Sequence, residues 1–459
     1  MSKLTDLSRT IVALSTATGS GSLAIIRISG KNAIAITNSV FKGANLLAVP
    51  SNTIHFGKIV FKQKIIDQVL VSIFRKPNSY SGEDTTEISC HANPFIIDEI
   101  IGTVIEKGAD HAKPGEFTLR AFINGKLDLS QAESVSNIIR SNSRSGTHNS
   151  LMQLEGKLSE TIIGIKEKII SIISILEIDI DFSEENIKIA SAKDIVDDLK
   201  KLENKLKILV EGFNYSKLLN DGLKVSIIGK PNVGKSTLMN TLLGENRAIT
   251  SPKPGTTRDT LHENFLINDI NFKLIDTAGL RNTNDVIENE GVRRTIKAVE
   301  DADIILFLYD VNNSNIEREK NLFYQLINKH KNKIIYIGNK IDLLKKPLSR
   351  EINTDENKFI SAKKETGIAE LKKTIFFKSA KNFKDYKENI VITSLREKKV
   401  LEKTKKSIGK ARKSIEKNIG FEFAVVDLRD SLNILGEITG ETATDDILKK
   451  IFSNFCIGK

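Results

Sequence analysis

The sequence predicts a multidomain protein: an N-terminal α+β domain, a discontinuous all-α helical domain, and an α/β domain inserted between the two helical pieces. Three observations predict it. Short β-rich runs crowd residues 1–117, among them "SLAIIRISG", "HFGKIVF", "QVLVSIF" and "TTEISCHA". Two blocks far apart in the chain, 118–220 and 381–459, carry apolar residues at three- and four-residue spacing with few breakers, the mark of long amphipathic helices. Between them, over 221–380, the strand-like runs "LKVSIIG", "NFKLIDT", "ADIILFLYD", "KIIYIGN" and "KFISA" alternate with helical stretches, the pattern of a parallel sheet. Insertion at an exposed loop of a helical scaffold is a tolerated event.

The bulk properties narrow the class. A chain of 459 residues, 40% hydrophobic and 28% charged, has enough apolar content to bury sizeable cores. No apolar run reaches the length of a membrane span. The start, "MSKLTDLSRTIVAL", has neither a long apolar stretch nor a small-residue cleavage site, so no signal peptide and a cytoplasmic location are expected. Two cysteines, Cys90 and Cys456, are too few for a disulfide framework. The net charge of +11 permits a polyanionic partner such as RNA, although a lysine-rich surface alone is weak ground for one. Cys456 stands four residues from the end of "IFSNFCIGK", near the place of a prenylation signal, but Gly458 and Lys459 do not fit that signal and no membrane anchor is expected.

The strongest local signal is "VSIIGKPNVGKSTLMNTLLG". It matches G-x-x-x-x-G-K-[ST] through Gly229, Gly234, Lys235 and Ser236, flanked by a strand and a helix as a P-loop requires. Glycines let the backbone N–H groups of Asn232, Val233, Gly234, Lys235, Ser236 and Thr237 approach phosphate. Lys235 reaches the β- and γ-phosphates, and the Ser236 hydroxyl suits Mg²⁺. Three further strings follow in order. "KLIDTAGL" puts Asp276 at a strand end for Mg²⁺, with Thr277, Ala278 and Gly279 beside the γ-phosphate. "GNKID" supplies Asn339, Lys340 and Asp342; a carboxylate at Asp342 accepts both N1–H and N2–H of guanine, a donor pair that adenine lacks. "ISAK" adds Ser361, Ala362 and Lys363, with a backbone N–H for guanine O6. Between them, "SPKPGTTRD" reads as a switch loop (Ser251, Pro252, Lys253, Pro254, Gly255, Thr256, Thr257), with Thr257 a second Mg²⁺ ligand. Together these strings predict a guanine-nucleotide switch, an inserted α/β P-loop GTPase domain.

One position is unusual for such switches. The place after "DTAG", where Ras-like proteins carry a water-orienting glutamine, holds Leu280, which cannot hold water. Glu288 is the candidate that positions the water, with Asp285 and Glu290 as rivals. No arginine finger is evident; Asn232 is placed to share a monovalent cation where such a finger would reach.

The whole chain resembles the tRNA modification GTPase family MnmE (TrmE). "IIRISG", "SGEDTTEISCHA", "KPGEFTLRAFINGKLDLSQAE", "GKPNVGKSTLMN", "PGTTRD", "LIDTAGLR", "LGEITGE" and "IFSNFCIGK" look like that family's strings in its order. The second, third and last have no meaning for a generic GTPase. The resemblance implies an N-terminal folate-binding and dimerisation domain, a discontinuous helical domain and the inserted GTPase domain. It implies a homodimer that works on tRNA with an FAD-dependent MnmG (GidA) partner. The product is a carboxymethylaminomethyl or aminomethyl group at C5 of the wobble uridine, its one-carbon unit drawn from a tetrahydrofolate derivative (5-formyl- or methylene-type). It also implies GTP hydrolysis activated by potassium-dependent dimerisation of the GTPase domains.

Residues follow from the matched motifs. The resemblance implies folate contacts from Arg27, Glu87, Lys126 and Lys459; on their own residues Arg27 and Lys126 read as solvated surface charges. It implies a K⁺ site of Asn232, Ser251, Lys253 and Thr256, Mg²⁺ on Ser236 and Thr257, and Glu288 as the water-positioning acid. Cys456 would lie beside the one-carbon donor, where a redox or covalent role competes with simple packing. The other class to weigh is a GTPase switch in ribosome assembly or RNA binding, which shares the nucleotide motifs but would need a recognisable RNA-binding module.

Overall fold

The computed structural model describes residues 8–19, 21–141, 143–181, 191–244, 263–267, 270–275, 296, 298–312, 329–344, 357–380, 392–455 and 457–458. The chain divides into two compact units: Met1–Ser136, Met152–Ile208 and Ser394–Lys459 form one, and Asn137–Leu151 with Leu209–Thr393 form the other.

In the first unit a seven-stranded sheet is built from β1 (Thr10–Leu14), β2 (Leu23–Ser29), β3 (Phe41–Lys42), β4 (Thr53–Phe61), β5 (Lys64–Phe74), β6 (Thr85–His91) and β7 (Ala109–His111). Their spatial order is β3-β4-β5-β6-β2-β1-β7. Every pairing is antiparallel except β1 with β7. Side chains alternate across a strand, so β5 turns Val69, Val71 and Ile73 inward while Gln68 and Leu70 stay exposed. α1 (Ala33–Val40) and α2 (Pro94–Glu106) cover the inward face, Ile34, Ile100 and Val104 meeting Ile26, Val71 and Ile88 in one core. α3 (Glu116–Ile123) and α4 (Leu129–Arg140) follow.

Next in the chain come α5 (Arg144–Leu154), most of which belongs to the second unit, and α6 (Lys157–Asp181) in the first. α7 (Ala192–Asp221) belongs to the first unit as far as Ile208 and to the second beyond it, and after the second unit come three more helices of the first. Leu158, Ile162, Ile165, Ile169, Ile172 and Leu176 make a buried stripe on α6 at helical spacing. The last three helices are numbered α10 (Leu395–Glu416), α11 (Phe421–Thr439) and α12 (Asp445–Phe452). α10 opens with a reciprocal cap. The Ser394 hydroxyl accepts from the N–H groups of Arg396 and Glu397, and the Glu397 carboxylate accepts from the Ser394 N–H.

That cap sits in a buried polar knot. Glu397 is fully buried and also accepts from Ser130 Oγ at 3.0 Å. Beside it, Arg396 donates from two nitrogens to the two oxygens of Glu133, both at 3.0 Å, and from Nη1 to the Glu437 carbonyl at 2.5 Å. Burial, helped by the Glu133 charge, pushes the Glu397 carboxyl up to about 7 against the pull of Arg396 and its hydrogen bonds. A carboxyl raised from an unfolded value of 4.5 favours the fold in its protonated form, so stability falls as pH rises from about 5 through about 7. Glu397→Gln is expected to flatten that decline. Thermal unfolding midpoints of wild type and variant across pH 5 to 8 would test it; parallel curves would refute it.

The second unit carries a six-stranded sheet in the order β13-β12-β11-β8-β10-β9. Its strands are β8 (Leu223–Ile228), β9 (Glu263–Ile267), β10 (Ile270–Ile275), β11 (Ile304–Asp310), β12 (Ile334–Asn339) and β13 (Asn357–Phe359). All pairings are parallel except β9 against β10. β11 is buried at every position, as expected of a central parallel strand covered on both faces. α8 (Lys235–Leu243) and α9 (Ile368–Ala380) contribute Leu238, Leu242, Leu371 and Ile375 to one core. No helix among the described residues is long and apolar enough to cross a membrane.

Candidate nucleotide site

The site stands at the C-terminal ends of β8 and β12, where an open parallel sheet exposes loops. β8 ends at Ile228, and the chain turns through Gly229 with φ 151°. A Cβ there would strike the Leu308 carbonyl of β11, so only glycine lets the loop lie this close to the sheet. Asn232 and Gly234 also take positive φ, 62° and 100°, and Gly234 caps α8 with no side-chain acceptor for the first N–H groups of the helix. Those donors and the helix dipole form a cradle for an anion. Ser236 and Thr237 are exposed on this first turn.

Lys235 is half-buried. Its ammonium donates to the Gly229 carbonyl at 2.8 Å and the Lys230 carbonyl at 2.7 Å, which lays it across the loop. Burial lowers its pKa. An ammonium held by carbonyls in a desolvated place gains from a phosphate. The residues present therefore fit a nucleotide phosphate.

Asn339, at the end of β12, ties the loops together. It is buried, and its amide nitrogen donates to the Val233 carbonyl at 2.8 Å while its amide oxygen accepts from the Ala362 N–H at 3.0 Å. A Cβ on Gly234 would collide with this same Asn339 nitrogen. Thr241 of α8 donates to the Ala362 carbonyl at 2.9 Å, a second tie. Lys340 takes φ 67° and pairs with Asp310 of β11 at 2.7 Å, while its carbonyl accepts from Asn312. Asp342 is half-buried, with Oδ1 accepting from Ser361 Oγ at 2.6 Å, and that hydrogen bond lowers its pKa. Lys363 is exposed beside it. The three motifs that carry Val233, Asn339 and Ala362 thus form one hydrogen-bonded unit.

Many expected residues fall elsewhere. Ser251, Pro252, Lys253, Pro254, Gly255, Thr256, Thr257, Asp276, Thr277, Ala278, Gly279 and Glu288 lie outside the described residues, as do Leu280, Asp285, Glu290, Cys456 and Lys459.

In the first unit two of the expected residues meet. Arg27 and Glu87 face each other on β2 and β6, and both Nε and Nη2 of Arg27 stand 2.8 Å from Glu87 Oε1. The guanidinium also lies over the rings of Tyr80 (5.2 Å) and Phe117 (5.7 Å). Lys126 lies against Gly82, whose added Cβ would stand 3.4 Å from its Cγ. Gly458 docks on the end of β1, its carbonyl accepting from Ser15 Oγ at 3.1 Å. Sequence reasoning missed Arg120. It is fully buried and joins Glu83, Glu116 and the Arg9 carbonyl, which ties the "SGED" turn to the "FTLR" helix. His91 is exposed, with Nδ1 2.8 Å from the buried Asp67.

Fold and loop together define a P-loop nucleotide-binding protein of the GTPase class. Comparison with known proteins specifies it further. A family model described as GTP-binding protein TrmE N-terminus matches residues 10–126, and one described as MnmE helical domain matches residues 129–456. The chain is 39% identical over 458 residues to the tRNA modification GTPase MnmE of Cytophaga hutchinsonii, covering 99% of each. It is 40% identical to that of Flavobacterium psychrophilum, with 98% of this chain and 99% of the relative covered, and 38% identical to that of Acetivibrio thermocellus at the same coverage. The chain belongs to the MnmE family.

Proposed function

We propose that this chain hydrolyses GTP and that its nucleotide cycle drives the modification of C5 of the wobble uridine in certain tRNAs. The observation that carries the nucleotide half is the Asn339 clamp. One amide fixes the phosphate loop through Val233 and the base loop through Ala362, so phosphate and guanine are held at a set distance. Family membership carries the tRNA half.

The roles follow from the chemistry. The N–H groups of Asn232 to Thr237 and the Lys235 ammonium bind phosphate. Asp342, oriented by Ser361, accepts the N–H edge of guanine, and Ala362 and Lys363 border the base. Mg²⁺ would be held by Ser236 with Thr257 and would neutralise phosphate charge; K⁺ would be held by Asn232 with Ser251, Lys253 and Thr256 and would supply the positive charge of an arginine finger. Glu288 positions the attacking water. A tetrahydrofolate derivative would supply the one-carbon unit in the first unit. Arg27 and Lys126 with Lys459 suit its anionic tail, and Glu87 suits the pterin N–H edge. On this reading residues 1–117 bind folate and dimerise, 118–220 and 381–459 make the helical domain, and 221–380 the GTPase domain. A homodimer with an FAD-dependent partner, acting on tRNA in the cytoplasm, completes the assembly.

The test is mass spectrometry of nucleosides from total tRNA. Deleting this chain should remove a C5-modified wobble uridine, which the wild type restores and Lys235→Ala does not. An unchanged uridine profile would overturn the tRNA role. The cation reading makes its own prediction: GTP turnover about a hundredfold or more faster in potassium than in sodium, the scale of one well-placed transition-state charge. Equal rates in the two salts would remove the K⁺ site.

A further inference from the structure

α10 concentrates one sign of charge on one side. Lys399, Lys403, Lys406, Lys410, Lys413 and the adjoining Lys417 are all exposed. They follow at steps of four, three, four, three and four residues, the spacing that keeps side chains on one face of a helix. Leu401, Ile408 and Ile415 are buried on the opposite side. Eighteen residues of helix make the row about 27 Å long.

The neighbouring acids are engaged elsewhere. Glu402 stands 3.9 Å from Lys398, Glu416 accepts two hydrogen bonds from Arg412 at 2.8 Å, and Glu397 lies in the buried knot. Asp427 of α11 feels the Lys410 charge, though burial raises its carboxyl more. None of the six lysines makes an ion pair among the described residues. An ordinary solvated helix mixes signs, because like charges three and four residues apart destabilise it. Here five successive neighbours repel, and a polyanion laid along them would remove that repulsion.

We propose that this face of α10 binds the phosphate backbone of RNA and is the docking surface for the tRNA substrate; this rests on the function proposed above. Lysines are point charges without the fork geometry that reads base edges, so a lysine row suits backbone phosphates and positions the RNA without reading its sequence. On the side of α10 that faces α7, away from the row, a separate cavity of about 330 Å³ is lined by Lys200, Glu203, Asn204, Lys207, Lys405 and Arg412, the last paired with Glu203 and Glu416.

The test uses the full chain and unmodified tRNA, with binding followed by fluorescence anisotropy from 50 to 200 mM KCl. The triple variant Lys403→Gln, Lys410→Gln, Lys417→Gln should bind about ten- to a hundredfold more weakly near 150 mM salt, and its salt slope should fall by about one for each lysine removed. A control with the same charge change on the first unit's sheet domain, Lys31→Gln, Lys42→Gln, Lys107→Gln, should stay within about twofold. GTP turnover should be unchanged in both, and neither triple should lower the unfolding midpoint; relief of the repulsion should raise it slightly in the α10 triple. Equal losses in the two triples would mean a general charge effect and overturn the site. If the α10 triple binds tRNA like the wild type while deletion of the chain still removes the modified uridine, this proposal fails and the function stands. If that triple binds tRNA normally but abolishes modification in cells, a protein partner occupies the row and the RNA assignment is wrong. If the wild type binds no tRNA and deletion leaves the uridine unchanged, both readings fall.

Discussion

Lys235→Ala should lower kcat/KM for GTP by about a hundred- to a thousandfold, the usual cost of removing one preorganised electrostatic contact to a reacting phosphate. The argument rests on where the ammonium lies. It is half-buried, burial has lowered its pKa, and its two partners are the carbonyls of Gly229 and Lys230 within the same loop. Those carbonyls cannot neutralise it, so the charge is held ready for a phosphate. The variant also strips a donor from both carbonyls, a loss of about 1 to 3 kcal/mol for each one left dry. Turnover and thermal unfolding therefore have to be measured together. A large loss of turnover with a small shift in midpoint assigns the lysine to phosphate. Turnover within about tenfold of wild type would mean that this loop is not the phosphate site.

The nucleotide unit was legible because each of its signals is local. Gly229 and Gly234 bracket a turn between a strand and a helix, and both strand and helix follow from residue periodicity within a few positions. Strands β11 and β12 were legible as nearly continuous apolar runs, the pattern that burial on both faces imposes. What joins the signals was not legible. Asn339 reaches Val233 across 106 positions of sequence and Ala362 across 23, and nothing in a motif shows that its amide is spent inside the protein. The same limit hid the knot of Glu133, Arg396 and Glu437. As sequence, Arg396 is one cation in a lysine-rich helix; only packing shows it paired with Glu133 across 263 positions. Arg120 likewise looks like a surface charge until it is found fully buried between two carboxylates. Periodicity reports which face is apolar. It does not report which polar groups the fold has chosen to bury, because that depends on partners remote in the chain.

Asp342→Asn should reverse base preference, weakening GTP by about a hundredfold or more and making xanthosine triphosphate the better substrate. Guanine offers two adjacent donors, N1–H and N2–H, and a carboxylate accepts both. Asparagine offers one acceptor and one donor, which leaves an N–H facing an N–H where the guanine amino group sits and suits the xanthine oxygen at that place instead. The structure makes the swap conservative in every other respect. Asp342 is half-buried, Asn has nearly the same shape so little packing is disturbed, and its Oδ1 already accepts from Ser361 Oγ at 2.6 Å. An asparagine that keeps its oxygen toward Ser361 presents its NH₂ outward, to the base. That hydrogen bond also holds the Asp342 pKa below the usual carboxylate range. The wild-type preference for guanine should therefore persist as pH falls toward 5, since the acceptor pair is lost only when the carboxyl protonates. Competition between the two triphosphates, run with wild type, Asp342→Asn and Ser361→Ala, separates the contributions. Ser361→Ala frees the carboxylate to rotate and should weaken GTP without creating a taste for xanthine. If Asp342→Asn leaves GTP preferred, the carboxylate is not what reads the base, and the loop that Asn339 braces serves some other ligand edge.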